Sequence, residues 1–168
     1  KSAINGKAGV AIMSDMLNDE KIRNLVIKHY NSITCENEMK PEIILGDVPV
    51  FSVDTEGSIC LDENGDPVLT LDFSKADKIM DFIKNNEKNP DDTIRVRGHV
   101  LVWHSQTPDW FFREKYDSQG AYVGKEKMLK RLENYIQKVI EHYDGVNSPY
   151  RGIIYAWDVV NEQIEPDD

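Results

Sequence analysis

The sequence predicts a parallel α/β fold of the (β/α)8-barrel kind, with about four strand–helix steps present. Three observations predict it. Short apolar runs alternate with segments whose apolar residues recur at helical spacing, the pattern of βαβ units and a parallel sheet. Polar and aromatic residues gather at the C-terminal tips of the second, third and fourth strands, where barrels of this kind carry their sites. No phosphate-cradling glycine motif follows any strand, which disfavours a nucleotide-binding sheet. A closed barrel takes roughly 250 residues, and this chain has 168.

The elements follow in order. "GVAIM" (Gly9 to Met13) reads as a short buried strand. The segment "SDMLNDEKIRNLVIKHYN" reads as a helix with Ile22, Leu25, Val26 and Tyr30 on its apolar face, and Asp19 and Glu20 suit its first turn. "SITCENEM" (Ser32 to Met39) is a second strand running into a polar tip. From Gly46 to Phe73 the pattern changes: "DENGDP" is a turn signal between "SICL" and "VLTL", so an inserted hairpin is expected around residues 46–73. Ser74 to Lys88 reads as a helix capped by Ser74, with Ala76, Ile79, Met80 and Ile83 on one face, and "NPDD" follows as a loop. Thr93 to His104 reads as one strand continuing into a polar and aromatic loop. Gly124 to Asp144 is the strongest helix, with Met128, Leu129, Leu132, Ile136, Val139, Ile140 and Tyr143 as its stripe. Gly152 to Glu162 is the last strand. The whole chain, 1–168, is read as one domain unit.

Composition narrows the function. Hydrophobic residues make up 40% and charged residues 30%, an ordinary globular balance. No apolar run approaches membrane length, so no spanning helix is expected. The opening residues lack an apolar segment followed by a cleavage site, so no signal peptide is expected within this sequence. The net charge of −10 argues against nucleic acid or an anionic membrane as partner. A neutral ligand such as a sugar is compatible with it. Cys35 and Cys60 form no metal-type cluster; Cys35 reads as a buried thiol, with a disulfide to Cys60 left open. The histidines have no metal-type spacing, and neither metal nor cofactor is expected.

Three clusters carry chemistry. They are "ENEMK" (Glu36 to Lys40), "GHVLVWHSQTPDW" (Gly98 to Trp110) and "WDVVNE" (Trp157 to Glu162). Taken singly, each has a bland reading that outweighs the functional one: "ENE" as a solvated loop, a lone His or Trp after a strand as packing, and Asn-Glu at a strand end as the start of a turn. Together they put carboxylates, amides, imidazoles and indoles on one face of a sheet. Sugar sites combine apolar platforms with a few orienting polar groups in this way.

"GHVLVWHSQTPDWF" and "WDVVNE", preceded by "ENEMKPE", resemble the three signature segments of the N-terminal half of glycoside hydrolase family ten, the endo-β-1,4-xylanases. The resemblance runs from "KAGVAIM" to "NEQIE", in order and at plausible spacing. It implies a (β/α)8 TIM barrel of which this chain supplies about the first four units, and retaining hydrolysis of internal β-1,4-xylosidic bonds in xylan. It implies Glu162 as general acid/base and Asn161 as the amide that binds the sugar 2-OH. His99 and Trp103 match residues shaping the subsite on the glycone side of the cut. Glu36, Asn37 and Lys40 match ligands of the glycone-side sugars. Gln106 and His104 match polar groups around the acid/base, Gln106 being counted with the substrate-binding residues. Asp158 and Trp157 are expected to orient and pack. The implied location is secreted, cell-surface or periplasmic, and the implied partners are xylan, xylo-oligosaccharides and a complementary C-terminal half of the barrel.

Retaining glycosidases need two carboxyl groups roughly 5–5.5 Å apart. Glu162 needs its proton at the working pH, and the indoles of Trp103 or Trp157 are expected to wall it off from water. The nucleophile is not identifiable here: Glu36, Glu38 and Asp158 are present, and the resemblance gives none of them that role. A non-catalytic xylan-binding module and an inactive half-barrel are the competing readings. A cellulase of similar fold fits less well, because it shares the Asn-Glu tip but not the "GHVLVWHSQTPDW" run. Asn161 and Glu162 are neighbours, and an ideal strand points neighbours to opposite faces. The tip must therefore be irregular if both serve one ligand.

Overall fold

The computed structural model describes residues 6–86 and 93–163. Four short strands form a parallel sheet: β1 (Gly9–Ile12), β2 (Ser32–Cys35), β3 (Arg95–Gly98) and, after the intervening elements below, β5 (Ile154–Trp157). Their spatial order is β1-β2-β3-β5, and every neighbouring pair is parallel. The register aligns Val10, Ile33, Val96 and Ile154 in one row across the sheet. Ile33 and Val96 in that row are fully buried, so this is the face covered by helices. The alternate row holds Ala11, Thr34, Arg97 and Ala156, of which Ala11, Arg97 and Ala156 are exposed. Side chains of a strand alternate between faces, and a register shift beside Val96 and Arg97 skips Tyr155, which puts Ile154 and Ala156 in different rows.

The helices are α1 (Glu20–His29), α2 (Pro41–Leu45), α3 (Ser74–Asn85) and α4 (Lys125–Asp144). The Asp19 carboxylate caps α1 by accepting from Lys21 N at 2.7 Å. Val26 is its buried residue, whereas Leu25 points outward at 52% exposure, against its expected place on the apolar face. The segment Ser14–Asn18 is a 3₁₀ turn rather than the start of that helix. Helix α3 buries Ala76, Ile79, Met80 and Ile83, as its spacing predicts. Its cap differs. Phe73 already has helical dihedrals, and Asp72 Oδ1 accepts from Ser74 N at 2.8 Å, so Asp72 and not Ser74 supplies the capping oxygen. The expected extension of this helix to Lys88 and the "NPDD" loop reach residues 87–92, outside the described residues.

Helix α4 buries Arg131, Tyr135, Val139 and Tyr143, one row at a spacing of four, and leaves Leu129 exposed. The buried Arg131 explains why the row differs from the apolar stripe. Its guanidinium donates to Asp66 Oδ2 at 2.8 Å and to the carbonyls of Phe111 and Arg113. A buried charge needs such partners. Asp66 lies in segment 46–73, which forms antiparallel bridges Phe51↔Leu69, Val53↔Ile59 and Leu61↔Pro67. It therefore has three runs rather than the two of a simple hairpin. Asp54 and Asp62 each accept two backbone N–H bonds and close the two turns between the runs.

The two remaining strands are β4 (Val102–Trp103) and β6 (Val160–Asn161), paired in parallel as a separate ribbon. Both expected long strands, Thr93 to His104 and Gly152 to Glu162, thus break into a sheet strand followed by a ribbon strand. At the break, a Cβ on Gly98 would lie 2.2 Å from the Trp157 ring, so only glycine fits beneath the indole. Strand β2 likewise ends at Cys35, and Glu36 to Met39 form a turn. Both cysteines are free thiols, and Cys35 is fully buried. No described helix is long and apolar enough to cross a membrane.

Candidate active site

The polar tips converge above the sheet in two networks. In the first, Lys40 Nζ donates to Asn37 Oδ1 at 2.9 Å and to Gln106 Oε1 at 2.7 Å. The same ammonium stands 5.1 Å from the ring centre of Trp103, within cation–π range. Trp103 Nε1 in turn donates to Glu162 Oε2 at 2.7 Å. Asn37, Lys40, Gln106, Trp103 and Glu162 therefore form one chain of contacts drawn from three loop regions. In the second network, Asp158 accepts from Arg97 at 2.6 Å and lies 2.9 Å from His99 Nδ1. The Asp158 carboxylate accepts from an Nδ1–H, which orients the His99 ring and turns Nε2 away from Asp158.

The ribbon fixes the Glu162 tip. Pairing of Trp103 with Asn161 brings the second and third clusters side by side. Glu162 then adopts φ 52°, in the left-handed region that costs a non-glycine residue strain. That turn resolves the pleat problem, because Asn161 and Glu162 both line one cleft. The cleft measures about 590 Å³ and is otherwise walled largely by carbon, including Leu101, Phe111, Phe112, Met128 and Leu132. Trp103 and His104 also line it, whereas Glu36, Asn37, Lys40, His99 and Gln106 lie outside it.

Some expectations need correction. Trp103 meets Glu162 through a hydrogen-bonding N–H, not as an apolar wall. Trp157 packs over Gly98 and 6.2 Å from the Tyr143 ring centre, so it does not wall Glu162 either. His104 is exposed and, among the described residues, makes no side-chain hydrogen bond to the Glu162 network; its ring lies edge-on to Trp103. Glu36 is exposed at the β2 tip, its backbone N–H bonded to Ile12 O. Glu38 is 5% exposed, and its carboxylate accepts from the backbone N–H groups of Ser14 and Asn37.

One site neighbour was missed from sequence. Gln106 Nε2 donates to Glu42 Oε2 at 3.1 Å, and Glu42 N donates to Gln106 O at 2.9 Å. The available signal was its place directly after Pro41, in the first turn of a helix that abuts the "ENEMK" tip.

The chain matches the profile of glycosyl hydrolase family 10 over residues 1–168. It is 41% identical over 160 residues to endo-1,4-β-xylanase A of Thermotoga maritima, covering 95% of this chain and 12% of that protein. Against endo-1,4-β-xylanase B of Butyrivibrio fibrisolvens it is 39% identical over 159 residues, covering 95% of this chain and 22% of that one. Among solved structures it is similar to the CBM22-1–GH10 modules of Clostridium thermocellum endo-1,4-β-D-xylanase 10B, described in complex with xylohexaose. There the TM-score is 0.75 at 35% identity, covering 96% of this chain and 27% of that one. The chain spans less than a third of the length of each of these three. Parallel strands alternating with helices, polar groups at the strand tips and a full-length family match agree on the N-terminal part of a (β/α)8 barrel: the chain belongs to glycosyl hydrolase family 10.

Proposed function

We propose that this chain is the N-terminal half of an endo-1,4-β-xylanase catalytic domain, with segment 46–73 as an insertion. Glu162 is its general acid/base. The observation that carries the reading is the Glu162 tip: a carboxylate in a strained left-handed conformation, bonded to an indole N–H, with Asn161 beside it. Strain of this kind collects at functional positions. Asn161 binds the sugar 2-OH, and His99 and Trp103 shape the subsite on the glycone side of the cut. Glu36, Asn37, Lys40 and Gln106 bind the glycone sugars, while Asp158 orients His99 and His104 lies at the edge of the site.

The reaction is a double displacement. Glu162 gives its proton to the glycosidic oxygen while a second carboxylate attacks the anomeric carbon, and the C–O bond breaks. Glu162 then takes a proton from water, which attacks the glycosyl ester, frees the second carboxylate and leaves the product with retained configuration. The second carboxylate comes from the complementary C-terminal half of the barrel. Because xylan is a polymer, the place of action is outside the cytoplasm, secreted or held at the cell surface or in the periplasm.

The test is Glu162→Gln in the protein that carries the complete barrel. Hydrolysis of polymeric xylan is expected to fall by about 10²–10⁴-fold, the usual size of general acid–base assistance. Wild-type turnover in that variant removes Glu162 from the mechanism. Retained binding of xylo-oligosaccharides without turnover in the unaltered protein would favour a non-catalytic binding module.

A further inference from the structure

We infer that Glu42 is a positioning residue for the glycone side of the site. Its carboxylate holds the Gln106 side-chain amide in the orientation that seats Lys40. The inference rests on the reading of Asn37, Lys40 and Gln106 as sugar ligands. Glu42 grips the loop after β4 at two points, backbone N–H to Gln106 O at 2.9 Å and Gln106 Nε2 to Glu42 Oε2 at 3.1 Å. The other end of the same amide, Oε1, accepts from Lys40 Nζ at 2.7 Å. A primary amide is a donor at one end and an acceptor at the other. Turned by 180°, Gln106 would set its NH₂ against an ammonium and its oxygen against a carboxylate. Glu42 and Lys40 thus select one orientation from opposite ends.

The consequence reaches the sugar. With Gln106 Oε1 and Asn37 Oδ1 both accepting from Lys40, the ammonium has one N–H left. Asn37 turns its oxygen to Lys40, so its NH₂ is the end left for other partners. Lys40 and Asn37 therefore present donors beside the Trp103 ring for oxygen acceptors on the glycone, while the exposed Glu36 carboxylate at the same tip accepts. Without the Glu42 carboxylate, Lys40 alone selects the orientation of Gln106, and the amide is held less firmly as an acceptor for the ammonium.

The alternative role of Glu42 is an anion in the first turn of α2, favoured there by the helix dipole. Two substitutions in the complete protein separate the roles. Glu42→Ala removes both. Glu42→Gln keeps an oxygen for Gln106 Nε2 and removes the charge. Glu42 is exposed, so both variants are expected to fold with an unchanged thermal midpoint. Glu42→Ala is expected to raise KM for xylo-oligosaccharides on the order of fivefold, the size of one lost hydrogen bond, with kcat within about twofold. Glu42→Gln is expected to restore the wild-type KM. The side-chain amide resonances of Gln106 are expected to shift in Glu42→Ala and to stay in place in Glu42→Gln. A wild-type KM and unmoved resonances in Glu42→Ala overturn the inference, as does a Glu42→Gln variant that behaves like Glu42→Ala. Should Glu162→Gln keep turnover, the functional reading fails separately, and the Gln106 resonances still decide the role of Glu42.

Discussion

Two of the three N–H donors of Lys40 end on protein oxygens, Asn37 Oδ1 and Gln106 Oε1. The ammonium is thus held in place over Trp103 before any sugar arrives. Such preorganisation raises affinity by lowering the ordering cost of binding. Asn37→Ala removes one of the two acceptors and the amide NH₂ that faces away from Lys40. Its expected effect is weaker binding of xylo-oligosaccharides, on the order of tenfold by calorimetry, with stability changed by less than about 1 kcal/mol. Unchanged affinity with a large loss of stability would make Asn37 a structural residue instead. At this scale the sequence pattern was legible where several polar residues crowd one tip, as in "WDVVNE" and "ENEMK". It was not legible for Glu38, because a charged residue at a strand tip reads as solvated. Only the fold reveals that the backbone N–H groups of Ser14 and Asn37 bury it. Glu42 was missed for a related reason: its partner Gln106 lies 64 residues away.

Among the elements, helices α3 and α4 were the most legible, because apolar spacing over 12 and 20 residues leaves little choice of period. Their ends and exceptions were less so. Arg131 takes a core position in α4 because Asp66 and two carbonyls meet its guanidinium, which no local pattern encodes. The long strands failed at their tips, where the chain leaves the sheet for the β4–β6 ribbon. The cap of α3 yields a prediction at this scale. The Ser74 hydroxyl and N–H hold the Asp72 carboxyl below its ordinary range. A depressed carboxyl contributes stability at pH values above its unfolded pKa and loses it as pH falls through the folded value. Asp72→Ala is therefore expected to cost about 0.5–1 kcal/mol at neutral pH, at the low end for a cap because Asp72 is exposed. The difference from wild type is expected to shrink as pH falls below the ordinary carboxyl value of about 3.9, because the folded carboxyl, held lower, takes up its proton only after the unfolded one. Thermal unfolding of both proteins from pH 7 down to pH 2.5 checks it; a gap that stays constant across that range would assign the effect to packing.

For the whole molecule, the sheet has two free edges among the described residues: β1 pairs only with β2, and β5 only with β3. The face turned away from the helices carries Thr34, Arg97 and Ala156, with Tyr155 bonded to Ser32 and covered by Lys7. Closing such a sheet into a barrel takes further strands, and only closure brings opposite tips across one sugar. The carboxylates within the chain are poorly placed to serve as nucleophile. Glu38 is buried on two backbone N–H groups, and Asp158 is held by Arg97 and His99. The 168 residues by themselves are therefore expected to show no hydrolysis of xylan. Activity is expected when a polypeptide carrying the other four barrel strands and a second strand-tip Glu is added. Light scattering on the lone chain is expected to show self-association, since free parallel edges invite pairing. Glu36, exposed at the β2 tip, leaves one opening for a different outcome: in a self-paired assembly it would have to face Glu162 of a second copy within the roughly 0.5 Å tolerance that catalytic sites demand. Endo-activity from the lone chain, abolished by Glu162→Gln and by Glu36→Gln alike, would establish that pairing and move the nucleophile into this half.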